Sequence, residues 1–340
     1  MTPEQTRTAA VADPPAGRRT AGAPAHRLLV PGTAAGAADP LLVGHKFARQ
    51  ARLSALGHRV PDFVCLSVGA FDAVRAATGV RSPAVRDSGE LAAWAARARA
   101  EVHGAGVPAD LAEALLDAFD RLSDDGAAVA VRSCAVPARV RGTGAADAAA
   151  SPCFLAVGRE ELVDRVSRCW AAAFSTERVL DRLVRGEDPA ATRMAVGLQR
   201  VVRAECSFTA VGRVPHRAPG TADLSHLAAA YGLGRGPGRG DADHFSVDAA
   251  SGVVELRTVR KTRQTVLAPT GGTVVVEVPE AAAHRAVLDL ATVRRVAALA
   301  RGLEEHFGAP QEVAGAVTAD GGIHLLGTRP ATTARPGRRH

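Results

Sequence analysis

Pro310-Gln311-Glu312-Val313-Ala314-Gly315-Ala316, followed shortly by Ile323-His324-Leu325-Leu326-Gly327-Thr328-Arg329-Pro330-Ala331-Thr332, decides how the rest of the chain is read. Asp320-Gly321-Gly322 stands between them as a tight-turn sequence, so the spacing predicts two antiparallel strands joined by that turn. Side chains alternate along a strand. That rule predicts Ile323, Leu325, Gly327 and Arg329 on one face, and Glu312 with Ala314 on a shared face of the preceding strand. Glu312 lies two residues from Ala314, about 6–7 Å along the strand.

Working outward, His284 to Phe307 predicts a long helix stopped by Gly308. Phe245 to Val259 reads as a hairpin turning at Ala250-Ser251-Gly252, and Met194 to Val202 as a strand. Glu160 to Phe174 reads as a helix with Leu162, Val166, Cys169, Trp170 and Phe174 inward. Ala127 to Val131 is short and apolar, as a buried strand is. Pro108 opens a helix striped by Leu111, Leu115, Phe119 and Leu122. Ser88 is placed to cap another, carrying Leu91, Trp94, Ala95, Ala98 and Val102. Helices dominate the first half and strands the second, which predicts an α+β body of two lobes, 27–190 and 191–334. Residues 1–26 and 335–340 lack apolar periodicity and read as disordered tails.

Composition narrows the function classes. The chain is 47% hydrophobic but only 4% aromatic, so Ala, Val and Leu must fill the core. Of its 42 basic residues only Lys46 and Lys261 are lysines, which gives both weight as compact charges. A net charge of +7 suits a polyanionic ligand. The arginines are scattered and the one tyrosine offers no stacking platform, so no nucleic acid is expected as partner. No apolar run approaches a membrane span and no signal peptide is visible, so no membrane association is expected. Five cysteines without a C-x-x-C pair argue against a disulfide framework or zinc and for a reducing, cytoplasmic setting.

The two opening segments are similar to P-Q-D-I-E-W-A and Y-L-L-Q-T-R-P-A-T, which end the ATP-binding domain of the phosphoenolpyruvate synthase and pyruvate phosphate dikinase family. The likeness extends over about 40–333. Gly44-His45-Lys46-Phe47-Ala48 resembles G-G-K-G-A, and Val60-Pro61-Asp62-Phe63-Val64 resembles V-P-P-G-F-V. Val129-Ala130-Val131-Arg132-Ser133-Cys134-Ala135 is similar to V-A-V-R-S-S-A, with Cys134 in place of a serine. Arg168-Cys169-Trp170-Ala171 matches R-C-W-A, and Met194 to Ser207 resembles M-A-V-x-V-Q-x-M-V-x-A-E-x-S. Asp243 to Asp248 resembles D-H-Y-x-V-D, and Lys261 stands where relatives also tend to carry a lysine.

The resemblance implies a two-lobed, ATP-grasp-like fold that binds ATP. It assigns phosphate contacts to Lys46, Arg132 and Arg329, and the adenine side to Gln199, Arg200, Val201, Val202 and Glu205. Relatives hold magnesium and phosphates with a glutamate and a glutamine, which here are Ala314 and Gly327. Glu312 becomes the candidate Mg2+ ligand if the strand slips or bulges. The family's phosphate-covering loop is not matched: Val136 to Ala150 lacks its acids, and Pro152 follows. Tyr231-Gly232-Leu233-Gly234 resembles G-L-G-E with Arg235 in the acid's place, and the glycines through Gly240 make no dinucleotide fingerprint. Ser225-His226-Leu227-Ala228-Ala229 superficially matches a phosphohistidine motif, but is expected in a helix. Two functions stay open at this point. One is an ATP-dependent phosphotransferase component that passes phosphate to a separate phosphohistidine carrier or substrate-domain protein. The other is a degenerate nucleotide- or partner-binding pseudoenzyme.

Overall fold

A computed structural model describes residues 28–84, 87–136, 152–213, 223–234 and 241–331. The two expected tails, most of the segment after Val136 and the glycine run 235–240 lie outside these residues. The first sheet contains β1 (Leu29–Pro31), β2 (Phe63–Leu66), β3 (Val129–Ala135), β4 (Cys153–Val157) and β5 (Met194–Arg200), in the order β1-β2-β5-β3-β4. Every neighbouring pair is antiparallel. Its helices are α1 (Pro40–Ala55), α2 (Val68–Ala77), α3 (Ser88–Ala105), α4 (Ala109–Leu122), α5 (Leu162–Ala171) and α6 (Thr176–Val184). β5 is the central strand, and the chain passes to the second sheet after Arg200.

The second sheet contains β6 (Cys206–Val211), β7 (Leu224–Tyr231), β8 (Asp243–Asp248) and β9 (Val254–Arg257). A hairpin of β10 (Arg263–Leu267) and β11 (Thr273–Glu277) and a short α7 (Glu280–Ala283) lead into α8 (Leu290–Phe307). β12 (Gln311–Val317) and β13 (Ile323–Pro330) then complete the sheet, whose order is β13-β12-β6-β7-β8-β9. The fold is α+β with one core per sheet. Phe71, Leu115, Trp170, Phe174 and Val196 anchor the first, and Phe208, Phe245, Val293, Val296, Ala300 and Val313 the second. Small aliphatics fill both, as the low aromatic content requires.

Local chemistry moves several boundaries. Asp87, not Ser88, caps α3, its carboxylate accepting from the Glu90 amide. The last helix starts at Leu290, not His284, because Asp289 accepts from the Thr292 amide; Gly308 at φ 66° ends it as expected. Ser225 to Ala229 is strand, not helix. Ser225, Leu227 and Ala229 are buried in alternation while β6 and β8 flank them, so tertiary pairing overrides the helix-forming alanines.

The most consequential difference is in β13. Its register against β12 runs Val317↔Ile323, Ala316↔His324 and Gly315↔Leu325, then Ala314↔Gly327, Val313↔Thr328 and Glu312↔Arg329. Leu326 is the extra residue of a β-bulge. Directly paired residues share a face, and Val313 and Val317 belong to the core under α8. Ile323 and Leu325 therefore face α8. Beyond the bulge Gly327 and Arg329 face the other way, with Ala314 and Glu312. Simple alternation had put all four β13 residues on one face.

Candidate nucleotide site

The site begins at a break in α1. Gly44 has φ 80° and ψ 158° inside an otherwise helical run, a conformation that favours glycine. An added Cβ there would overlap the Cys134 sulfur of β3. Three residues later Phe47 lies over Gly197 of β5, where a Cβ would enter its ring. These two close approaches press α1 onto the first sheet and fix the helix face that carries Lys46. Its Nζ donates to the Ser133 carbonyl at 2.6 Å.

Arg132 precedes that serine. β3 lies between β5 and β4, so Arg132 does not emerge at an edge of its own sheet. The edge it meets is that of β13. Its Nη1 donates to Gln199 Oε1 on β5 at 2.6 Å and to the Leu326 carbonyl at 3.4 Å. Gln50, one turn after Lys46, donates Nε2 to the same carbonyl at 2.5 Å. Arg49 adds contacts to Gln311 Oε1 and the Thr328 carbonyl, and the Leu325 amide donates to Arg59 O. Residues from the first half thus cover the free edge of β13. The bulge presents the Leu326 carbonyl to Arg132 and Gln50 at this junction.

Arg329 lies three residues beyond Leu326 and is committed elsewhere. Its Nε and Nη2 both donate to Glu312 Oε1, at 3.1 and 2.7 Å, across the β12–β13 ladder. Lys46 thus bonds the backbone of Ser133, next to Arg132, and Arg329 bonds neither of them. The bulge that Glu312 needed is present, yet it lies beyond Ala314, so Glu312 stays opposite Arg329. Ala314 and Gly327 bring no oxygen side chain. Among the described residues no group of three or more His, Cys, Asp or Glu stands ready for a metal. This donor set does not fit a resident magnesium ion.

On the expected adenine side, Gln199 is buried, and the Val201 amide donates to Ala128 O at 2.7 Å. Arg200 points away: its guanidinium holds Asp125 and reaches the Leu122 carbonyl. The Glu205 side chain is exposed, while its amide donates to Val317 O and its carbonyl accepts from the Gly232 amide. Val202 begins the connection between the sheets. Lys261 is structural, 1% exposed, with Nζ 2.7 Å from Asp243 Oδ1. Burial pushes the Asp243 carboxyl up. Hydrogen bonds from Lys261 and the Val287 and Val259 amides outweigh this and hold it below the usual carboxylate range. Burial pushes the Cys169 thiol up to about 12, against a smaller opposing pull from Lys46.

Pro152, placed after the unmatched loop, offers its carbonyl to the Ser133 amide at 3.1 Å, a role that needs no N–H of its own. A separate cleft of about 630 Å³ opens between His58, Arg59, Arg295 and the 320–322 turn, at the opposite end of β13 from Arg329. The reading from sequence missed Gln50 and Arg49. The signal for Gln50 was available, because residues i and i+4 share a helix face and Lys46 was already singled out.

A model of the pyruvate phosphate dikinase AMP/ATP-binding domain matches residues 41–340. A rifampicin phosphotransferase from a Streptomyces species is 32% identical over 317 residues, covering 89% of this chain and 35% of that protein. A probable phosphoenolpyruvate synthase from Methanothermobacter thermautotrophicus is 27% identical over 310 residues, covering 87% of this chain and 44% of that protein. The chain thus spans less than half the length of these two relatives. Among solved structures, D-alanyl-alanine synthetase A from Vibrio cholerae overlaps 87% of this chain and 60% of its own at a TM-score of 0.33 and 8% identity.

Proposed function

This chain belongs to the pyruvate phosphate dikinase AMP/ATP-binding domain family, and we propose that it is the ATP-binding component of a phosphotransferase, with Lys46 and Arg132 holding the phosphates. The observation that carries this reading is their bonding. A lysine from α1 bonds the Ser133 carbonyl of β3, the preceding residue of that strand is Arg132, and Arg132 in turn bonds the buried carboxamide of Gln199. An ammonium and a planar guanidinium, both half-buried, form a site suited to a polyphosphate. Each now donates to a protein oxygen that a phosphate oxygen could replace. Gln199 to Val202 would line the base side through the connection between the sheets. A phosphoryl group would pass to a histidine outside residues 41–340.

The test is incubation with β- and γ-labelled ATP and candidate phosphohistidine carrier proteins. Label on a carrier histidine, with release of AMP, is expected. ATP bound without label transfer or AMP under any condition sinks the transfer step and leaves binding alone. That second reading, binding without turnover, has its own support. Glu312 is taken by Arg329, and Ala314 pairs with Gly327, so this face of β12 and β13 offers no free carboxylate to place a metal on the phosphates.

A further inference from the structure

Six buried side-chain atoms have no hydrogen-bond partner among the described residues, and two of them, Gln50 Oε1 and Gln199 Nε2, terminate one chain of bonds at the proposed site. The chain runs from Gln50 Nε2 to the Leu326 carbonyl, from that carbonyl to Arg132 Nη1, and from Arg132 to Gln199 Oε1. At one end an acceptor is left over, at the other a donor. Gln50 is 0% and Gln199 2% exposed, so bulk water does not reach either side chain. Turning either amide over would not help. Gln50 would then oppose its oxygen to the Leu326 carbonyl, and Gln199 would oppose its NH₂ to the Arg132 guanidinium.

Buried polar atoms are nearly always paired, and an unmade pair costs stability. Two such ends in one chain, one of them a helical turn from Lys46, are what a site missing its ligand leaves. We propose that Gln50 is a further nucleotide-binding residue, its free carboxamide oxygen accepting a hydrogen bond from a hydroxyl or amino group of the nucleoside, while Gln199 donates to the same ligand. This rests on the nucleotide reading above. It adds a requirement that phosphate chemistry alone does not make. The ligand must bring a donor as well as acceptors, and ATP carries both where an inorganic polyphosphate carries acceptors only.

Gln50→Leu tests the inference, because leucine keeps most of the volume and removes the unmet acceptor. Melting temperature and calorimetric affinity are measured in magnesium-free buffer for ATP and for inorganic tripolyphosphate. The expected result is a melting temperature at or above that of the parent, ATP binding weakened by about tenfold or more, and unchanged tripolyphosphate binding. A lower melting temperature with ATP affinity intact would make Gln50 a packing residue and overturn the inference. Equal weakening of both ligands would overturn it too, by pointing to pocket shape rather than a donor on the ligand. A parent protein that binds neither ligand would remove the nucleotide reading itself, and the inference with it. If the leucine variant does not fold, Gln50→Met serves in its place with the same outcomes.

Discussion

Gly44 shows how much one residue can fix. Its φ of 80° and its contact with the Cys134 sulfur each exclude a side chain, for independent reasons. Gly44→Ala is expected to destabilise the protein by about 1–3 kcal/mol. Adding Cys134→Ala should recover the steric part and leave the backbone part, measurable by denaturant unfolding of the four proteins of the cycle. No recovery at all would mean the cost is conformational only. The second lysine acts at the same scale with a different purpose. Lys261 and Asp243 form a fully buried pair, so Lys261→Met or Asp243→Leu alone should cost about 3–5 kcal/mol, and the double change less than either. The pH dependence has a definite sign. The Asp243 carboxyl is held below its unfolded value near 3.9, so its contribution is complete above that pH and disappears as pH falls through the lower folded value. An acid titration of stability should be shallower below pH 4 in the double variant. A limb as steep as the parent's would assign acid sensitivity to other groups. Scarcity of lysine marked both positions in the sequence, but it did not separate the half-buried Lys46 from the fully buried Lys261.

At the scale of elements, the bulge at Leu326 turns Gly327 and Arg329 away from α8 and brings a carbonyl to Arg132 and Gln50. A Cβ at Gly327 would meet nothing within 4 Å, so a longer side chain there has room. Ala314→Glu with Gly327→Gln should therefore fold normally and raise ATP affinity in the presence of magnesium, since two oxygen ligands return to one face. Calorimetry with and without the ion checks this. An affinity gain indifferent to magnesium would show that the restored groups do not meet a metal. Strand pairs, α4, α5 and the stop at Gly308 were legible in the sequence, because hydrophobic period and caps act locally. The bulge was not legible. An extra residue leaves alternation intact on paper and is specified only by the partner strand and the edge contacts. β7 was misread for a related reason, since alanines suit a helix until two neighbouring strands compete for them.

For the whole molecule, two antiparallel sheets meet where α1 and β3 cover the open edge of β13, and the charges singled out from sequence divide there into two groups. Lys46 bonds the backbone of β3 and Arg132 reaches the edge of β13, while Arg329 is held by Glu312. No helix among the described residues is long and apolar enough to cross a membrane. Lys46 and Arg132 stood out in the sequence because each sits in a short motif. Arg200 was not separable from them, since its partner Asp125 lies far away in sequence. The central claim is that Lys46 places its charge against a nucleotide phosphate, and the most direct measurement is the calorimetric dissociation constant for ATP of Lys46→Ala beside the parent. With folding confirmed by melting temperature, loss of a charge-assisted hydrogen bond predicts weakening of roughly 10- to 100-fold, with and without magnesium. ATP affinity unchanged in a correctly folded Lys46→Ala protein would contradict the account and leave the α1–β3 corner as a structural joint only.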